Sequence, residues 1–365
     1  MSAEKTLVVC GAGNIGRGIV SVLFQQAGYR LLFYRRDAAA LRQLKSAAHY
    51  PVFLLDRDGA DESVEIDNFD VLLGEDALVE ALTEHDLAAF CFGRAAFASA
   101  AGQLARACRL RKQRGRSTPC EILLCSNEPD GREALYSLLL SQLRQTGEEA
   151  LAALAEIAQV LVYSVGYSGE DRAPFAITAT ANGTLEADAD ALSMPLPAVP
   201  NLLAGTNVQA KLYRKLYIAN MFHTYAALLG AQKGARTMAE CYADPQILAR
   251  VQTAFAQSEA AVLRQWQFDA GEHAAWRAAM LEKMRQPSGD PLPRVLRDLP
   301  KKAGRRERFA GPILLCLRFG LPCGELLHAL RLLLGTLQSD AGICALDPMQ
   351  PQEAQLLRLL NEDNK

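Results

Sequence analysis

Residues Leu7 to Gly18 read LVVCGAGNIGRG: a short apolar run, glycines at 11, 13 and 16, and then the amphipathic continuation through GIVSVLFQQAG. The G-x-G-x-x-G spacing between a strand-like run and a helix-like run has a physical use. The first glycine permits a tight turn, the second lets the backbone approach a pyrophosphate, and the third lets the helix pack closely on the strand. A plain βα turn can carry the same spacing, but strand before and helix after is the context a dinucleotide site needs. Gly11, Gly13, Asn14, Ile15 and Gly16 are therefore candidate cofactor-binding residues.

Working outward, apolar runs alternate with helical patterns: RLLFY, DAAALRQLKS, DLAAFCFG, AAFASAAGQLARACRL and EILLCSN. Strands alternating with helices predict βαβ units and a parallel sheet. QVLVYSVGYSG and FAITATANG add further strands, rich in β-branched and aromatic residues and bounded by glycine. The proline-rich SMPLPAVPN (193–201) breaks both helix and central strand. Beyond it the pattern is nearly all helical, with helices expected near 203–231, 246–269, 271–285, 311–319, 323–337 and 350–361 and a loop, QPSGDPLP, at 286–293. The fold class expected is α/β: an N-terminal Rossmann-type doubly wound sheet over 1–195, then a mostly α-helical domain over 196–365.

The strand after the glycines ends LLFYRRD. An acid at this position would hold the ribose hydroxyl of NAD, whereas Arg35 or Arg36 suits the 2′-phosphate of NADP. The cofactor expected is NAD(H) or NADP(H), with the arginines favouring NADP(H). Alternatively Arg35 and Arg36 are solvated loop residues and Asp37 caps the next helix. Gly93, closing DLAAFCFG, joins the cofactor-side candidates.

Composition excludes several classes. A net charge of −2 over 365 residues is too small for a nucleic-acid binder that works by bulk electrostatics. The nine cysteines include no C-x-x-C pair, which fits a reducing cytoplasm better than a secreted fold. There is no H-x-x-x-H or clustered cysteine set, so no metal is expected. The N-terminus lacks the pattern of a signal peptide. The most apolar stretch, 311–335, is interrupted by Arg318, Glu325, His328 and Arg331, so a soluble cytoplasmic protein without a membrane partner is expected.

One polar group of residues stands out in the helical half: KLYIANMFH, Lys215 to His223. At 100° per residue Lys215, Asn220 and His223 fall at about 0°, 140° and 80° on an α-helical wheel. One surface can present all three. A desolvated lysine can act as general base toward an alcohol, and an amide can stabilise the oxygen that forms. Spacing alone equally fits a solvated lysine and a satisfied core histidine.

GAGNIGRG followed at this distance by KLYIANMFH resembles the polyol-specific long-chain dehydrogenases, the mannitol dehydrogenase family, whose signature is Lys-x4-Asn-x2-His. The resemblance continues through TYAALLG, FDAGEHAAW, RVLRDLPKKAGRRERFAGP and FGLPCGEL, over roughly residues 5 to 335. It implies metal-independent interconversion of a secondary alcohol and a ketone on a polyol or sugar phosphate. Lys215 would be the general base, Asn220 would polarise the oxygen, and His223 would orient the substrate. It further implies a cofactor contact at Asn127, and substrate contacts at Arg297 and Arg308 within the basic run 294–308, which by its composition alone reads as a solvated loop. Two departures accompany it. Ser126 stands where the family carries an acid before Asn127, with Glu128 two residues late. Tyr163 and Tyr167 stand in VYSVGYSGEDRAP where polar or acidic groups would fall, making Tyr163 a substrate-side candidate. The same chemistry on another hydroxy substrate, or a nucleotide-binding paralogue with lost turnover, are the rival expectations.

Overall fold

The computed structural model describes residues 5–55, 61–164, 166–285, 291–337 and 346–362, so part of the expected 286–293 loop lies outside the described residues. The chain divides into two compact units, Met1–Leu212 and Tyr213–Lys365.

In the first unit the described strands are β1 (Thr6–Cys10), β2 (Arg30–Tyr34), β3 (Tyr50–Leu55), β4 (Asp61–Ile66), β5 (Phe69–Val71), β6 (Leu87–Phe90), β7 (Cys120–Leu124), β8 (Ala155–Tyr163), β9 (Gly166–Ser168), β10 (Ile177–Thr180), β11 (Thr184–Asp188) and β12 (Leu202–Gly205). The larger sheet runs β12-β11-β8-β7-β6-β1-β2-β5. From β5 to β8 every pairing is parallel, and β11 returns antiparallel on β8. Counting outward from β1, this is the 3-2-1-4-5-6 order of a dinucleotide-binding sheet, whose order reverses between β1 and β6.

β1 shows why the sheet is covered on both faces. Leu7 and Val9 belong to one core with Val20, Phe24 and Leu41, while Val8 and Cys10 belong to another with Leu82, Phe97 and Leu104. Alternating side chains of a wholly apolar strand feed two layers, as a central parallel strand requires.

The smaller sheet, β4-β3-β10-β9, adds Tyr50, Val52, Ile66, Ile177 and Ala179 to the first of those cores. The β3–β4 hairpin and β5 were not among the expected strands, because Pro51 and the charged DESVEI obscure any apolar period there.

The units divide at Leu212/Tyr213, later than the 195/196 boundary expected. The cause is β12, which pairs in parallel with β11 and carries the chain back into the sheet after the proline-rich stretch. The helix expected from 203 accordingly begins at Val208.

The second unit is mostly helical in its described residues, apart from connecting loops and one antiparallel bridge between Thr237 and Pro291, and is built around Pro245–Gln265, a helix of 21 residues. Asp244 caps it, accepting hydrogen bonds from the Gln246 and Ile247 amides, and Pro245 opens it. Its buried stripe, Ile247, Val251, Ala254, Phe255, Ser258, Ala261 and Val262, follows the helical period. Among the described residues no helix is long and apolar enough to cross a membrane.

Candidate active site

The glycine turn of the first unit gives each glycine a separate role. Gly11 has φ +97, and a Cβ there would lie 2.5 Å from the Cys91 carbonyl oxygen; Gly16 would bring one within 2.4 Å of the Gly11 carbonyl oxygen. Gly13 has nothing within 4 Å of the place its Cβ would take, so one face of the turn is left open. That open, backbone-lined face is what a pyrophosphate needs. Asn14 and Ile15 open the helix on the same turn.

A π-like turn, Gly16–Val20, kinked at Gly18 (φ −88, ψ −113), follows at once. Here the Ser21 hydroxyl donates to the Gly16 carbonyl at 2.7 Å, and the Tyr50 hydroxyl donates to the Arg17 carbonyl at 2.9 Å. Backbone acceptors displaced from α register thus find side-chain donors.

Beyond the ends of β1, β2 and β6 opens a cavity of about 350 Å³, lined in part by Gly11, Tyr34, Arg35, Arg36, Phe92 and Gln103. Both arginines reach it. Asp37 caps Ala38–Ala47, accepting from the Ala40 amide at 3.1 Å, and its carboxylate lies 3.7 Å from Arg35. The capping alternative for Asp37 and a cavity position for the arginines therefore hold together. Gly93 precedes the short turn Arg94–Ala96 after β6, and Asn127 follows β7 on an exposed position. Ser126, where the acid was expected, is buried, and its hydroxyl accepts from the Glu128 amide at 3.3 Å. Glu128 swings back toward β6: a Cβ on Gly93 would lie 4.0 Å from its Oε1, and Arg94 is 3.5 Å from its Oε2. Tyr163, at the end of β8, donates a 3.0 Å hydrogen bond to Glu186, whose other oxygen accepts from Lys211 at 2.6 Å.

In the second unit, Lys215 to Asn220 form a π segment between Val208–Arg214 and Met221–Gln232. Hydrogen bonds there run i to i+5, which brings Lys215 and Asn220 toward the same side of the helix, where a straight α-helix would set them about 140° apart. His223 follows three residues later, in α register. All three are half-buried.

Three features hold the bulge. The fully buried Ser258 hydroxyl donates 2.7 Å to the Tyr217 carbonyl. The Tyr217 ring lies against Gly311, where a Cβ would be 2.4 Å from it. Arg214, fully buried one residue before Lys215, makes paired bonds of 2.8 and 2.7 Å to Glu272 and lies over the Phe268 and Trp276 rings.

His223 is oriented in turn: its Nδ1 and the Tyr242 hydroxyl are hydrogen-bonded at 2.7 Å. Arg308 reaches the same helix, donating 3.1 Å to the hydroxyl of Thr224 and 3.3 Å to Glu307. Burial lowers the Arg308 pKa from its ordinary value, with Glu307 opposing. Lys302 donates to the Val295 carbonyl at 2.5 Å, and burial, then Arg308, push its pKa down to about 8. Arg297 is exposed, its Nε 3.5 Å from the Arg294 carbonyl. Among the described residues no three His, Cys, Asp or Glu side chains gather as a metal-ligand set.

The family model for the Rossmann domain of mannitol dehydrogenase matches residues 5–165, and the model for its C-terminal domain matches residues 207–357. The chain belongs to the mannitol dehydrogenase family. Among solved structures it is similar to the mannitol 2-dehydrogenase of Pseudomonas fluorescens, captured as a ternary complex with NAD and D-mannitol. The identity is 13% and the TM-score 0.74, with 100% of this chain and 85% of that one covered. A substrate-free D-sorbitol dehydrogenase matches at 12% identity and TM-score 0.69, covering 92% of this chain and 81% of that one. A ketopantoate reductase from Ralstonia eutropha follows at 16% and 0.56, covering 92% and 100%. At these identities the likeness is one of fold. Membership of the mannitol dehydrogenase family makes the chain an oxidoreductase of the dehydrogenase class.

Four residues of this family member had no signal in the sequence. Tyr242, Ser258 and Arg17 sit in ordinary helical or loop patterns, and Lys302 is one of seven basic residues in the run 294–308.

Proposed function

We propose that this mannitol dehydrogenase family member interconverts a secondary alcohol and a ketone on a polyol or sugar phosphate, without a metal, at the expense of NAD(P)(H). Mannitol 1-phosphate and fructose 6-phosphate are the pair favoured by the resemblance in the sequence. The reading is carried by the π segment that stacks Lys215 and Asn220 on one side of the helix, with the Tyr242-oriented His223 one turn on.

In the oxidation direction the neutral Lys215 amine takes the hydroxyl proton while the carbinol carbon gives up hydride. The Asn220 amide donates to the oxygen as it becomes a carbonyl, and His223 holds that oxygen in line. A Tyr242 hydroxyl that donates to Nδ1 would leave the histidine's proton on Nε2, the nitrogen that would then face the substrate oxygen. The nicotinamide, when bound, supplies the hydride acceptor.

The residues that would hold the cofactor are the backbone of Gly11, Gly13, Asn14, Ile15 and Gly16, with Gly93 and Asn127 at the neighbouring strand ends. Arg35 and Arg36 favour NADP(H) over NAD(H), because a guanidinium offers no acceptor to a ribose hydroxyl and good donors to a phosphate. Arg308, Arg297 and Tyr163 would contact substrate, the two arginines taking the phosphate or hydroxyls.

The experiment follows absorbance at 340 nm with NADH and NADPH against a panel of ketoses and ketose phosphates, for wild type and Lys215→Ala. Turnover with a ketose phosphate that falls at least about a hundredfold in Lys215→Ala is expected. Cofactor binding without turnover on any substrate would instead mark a sensor, and preference for free ketoses would remove the phosphate from the reading.

A further inference from the structure

Arg35 is shared by two cavities of the first unit. The larger is the cleft beyond β1, β2 and β6. The smaller, of about 100 Å³, lies between the glycine turn and the helix Ala38–Ala47, with Ala12, Arg17, Arg35, Ala40, Gln43 and Glu170 among its walls. Its volume is about that of three water molecules, room for a phosphate group and too little for a nucleoside.

Arg17 is held there with some effort. It is 8% exposed, its Nε donates to the Ala12 carbonyl at 3.1 Å, and an amino nitrogen donates to the Phe175 carbonyl at 2.9 Å. Phe175 adopts φ +58, a conformation that costs a bulky residue backbone strain. The guanidinium also lies 5.6 Å from the centre of the Tyr50 ring. Those two carbonyls are neutral acceptors, so they fix Arg17 without cancelling its charge. Burial lowers its pKa from the ordinary arginine value, and Arg35 adds to that effect while Tyr50 and Glu170 oppose it. Two guanidinium groups, Arg17 and Arg35, therefore stand at one small cavity. Of the nearby acids, Glu170 is exposed, and Asp37 caps the helix with one oxygen while the other lies 3.7 Å from Arg35, an exposed pair that offsets only part of the local charge.

We infer that this small cavity is a phosphomonoester site, built by Arg17 and Arg35 to take the 2′-phosphate of an adenosine ribose seated in the larger cleft. The inference rests on the NADP(H) reading proposed above and extends it: Arg17, a residue of the glycine turn itself, determines cofactor specificity. An acid at the end of the second strand would take a ribose hydroxyl. Here that place is cationic, and a second cation faces the space a phosphate would fill.

The test is calorimetric titration of the full chain with 2′,5′-ADP and with 5′-AMP, which differ only in the 2′-phosphate and require no knowledge of the substrate. Wild type should bind 2′,5′-ADP about tenfold or more tightly than 5′-AMP, the worth of at least one hydrogen bond between charged groups. Arg17→Met should bring that ratio below about threefold. Because Arg17 also ties down the glycine turn, Ala40→Glu serves as the second variant. A carboxylate in the first turn of Ala38–Ala47 suits the helix but puts negative charge on the cavity wall, and should lower the ratio likewise. Equal binding of the two probes by wild type would overturn the NADP(H) reading and this site together. A wild-type preference lost in Arg35→Ser but kept in both Arg17→Met and Ala40→Glu would leave the reading standing and overturn the site.

Discussion

The Ser258 hydroxyl donates a 2.7 Å hydrogen bond to the Tyr217 carbonyl, joining the buried stripe of the long helix to the middle of the Lys215–Asn220 π segment. The bond is made in a buried place, between two residues closed to water. Ser258→Ala should cost about 0.5–1.5 kcal/mol, the net worth of one buried hydrogen bond. Urea unfolding at 25 °C should show a lower midpoint at unchanged slope. If the π segment then relaxes toward α register, Asn220 turns away from Lys215 and kcat falls even where the variant is fully folded. An unchanged midpoint would show that the bulge does not depend on Ser258.

Gly311 holds the same segment from the opposite partner. A Cβ there would be 2.4 to 2.5 Å from the ring and hydroxyl of Tyr217, so only glycine lets Ala310–Phe319 approach. Gly311→Ala should destabilise by about 1–3 kcal/mol through overpacking. Tyr217→Ala removes the obstructing ring, at its own cost in lost burial. Adding Gly311→Ala to that background should cost clearly less than it does alone, a coupling that a double-mutant cycle of melting temperatures reads directly. Additive effects would mean that the ring moves aside freely.

Arg214 and Glu272 fix the start of the segment. With the guanidinium fully buried against Phe268 and Trp276, removal of the carboxylate strands a charge. Glu272→Ala should cost about 3 kcal/mol, at the low end for a broken buried pair because Glu272 is itself partly exposed. Glu272→Gln, which keeps acceptor geometry, should cost less. Thermal unfolding of the two variants side by side checks the order, and equal losses would place the effect in packing instead of charge.

The parts of this molecule legible in its sequence are those that local chemistry determines. The glycine turn shows itself through the apolar run before it and the helical period after it, and Lys215, Asn220 and His223 stand out as polar residues on an otherwise apolar helix, to which spacing alone assigns no role. His273 lies 2.9 Å from Glu259 and 3.5 Å from Arg214 in the second unit. What could not be read depends on distant chain segments. The π register between Lys215 and Asn220 is held by Ser258 and Gly311, neither of which carries any mark of that task. The pairing of β12 with β11 is likewise invisible, because four residues after a proline-rich loop carry no periodicity of their own. Tyr242 reaches His223 only because a short helix, Met238–Ala243, folds back beside the histidine's helix.

Lys302 gives a pH dependence whose sign follows from its surroundings. Burial, then Arg308, lower its pKa from the ordinary 10.5 to about 8. Below about pH 8 folded and unfolded chains both hold the proton, and the buried charge weighs against folding. Between about 8 and 10.5 the folded chain has released a proton that the unfolded chain still binds, so stability rises with pH across that window. Above it neither state is charged and the dependence ends. Lys302→Met removes the titration while keeping most of the side chain's bulk. Urea unfolding at pH 7, 8, 9 and 10 should therefore show the wild-type stability gaining on that of Lys302→Met from pH 8 upward, with a constant gap below. A gap that stays constant over the whole range would mean that Lys302 titrates as a solvated lysine, and that Arg308 beside the His223 helix has no cationic neighbour sharing its burial.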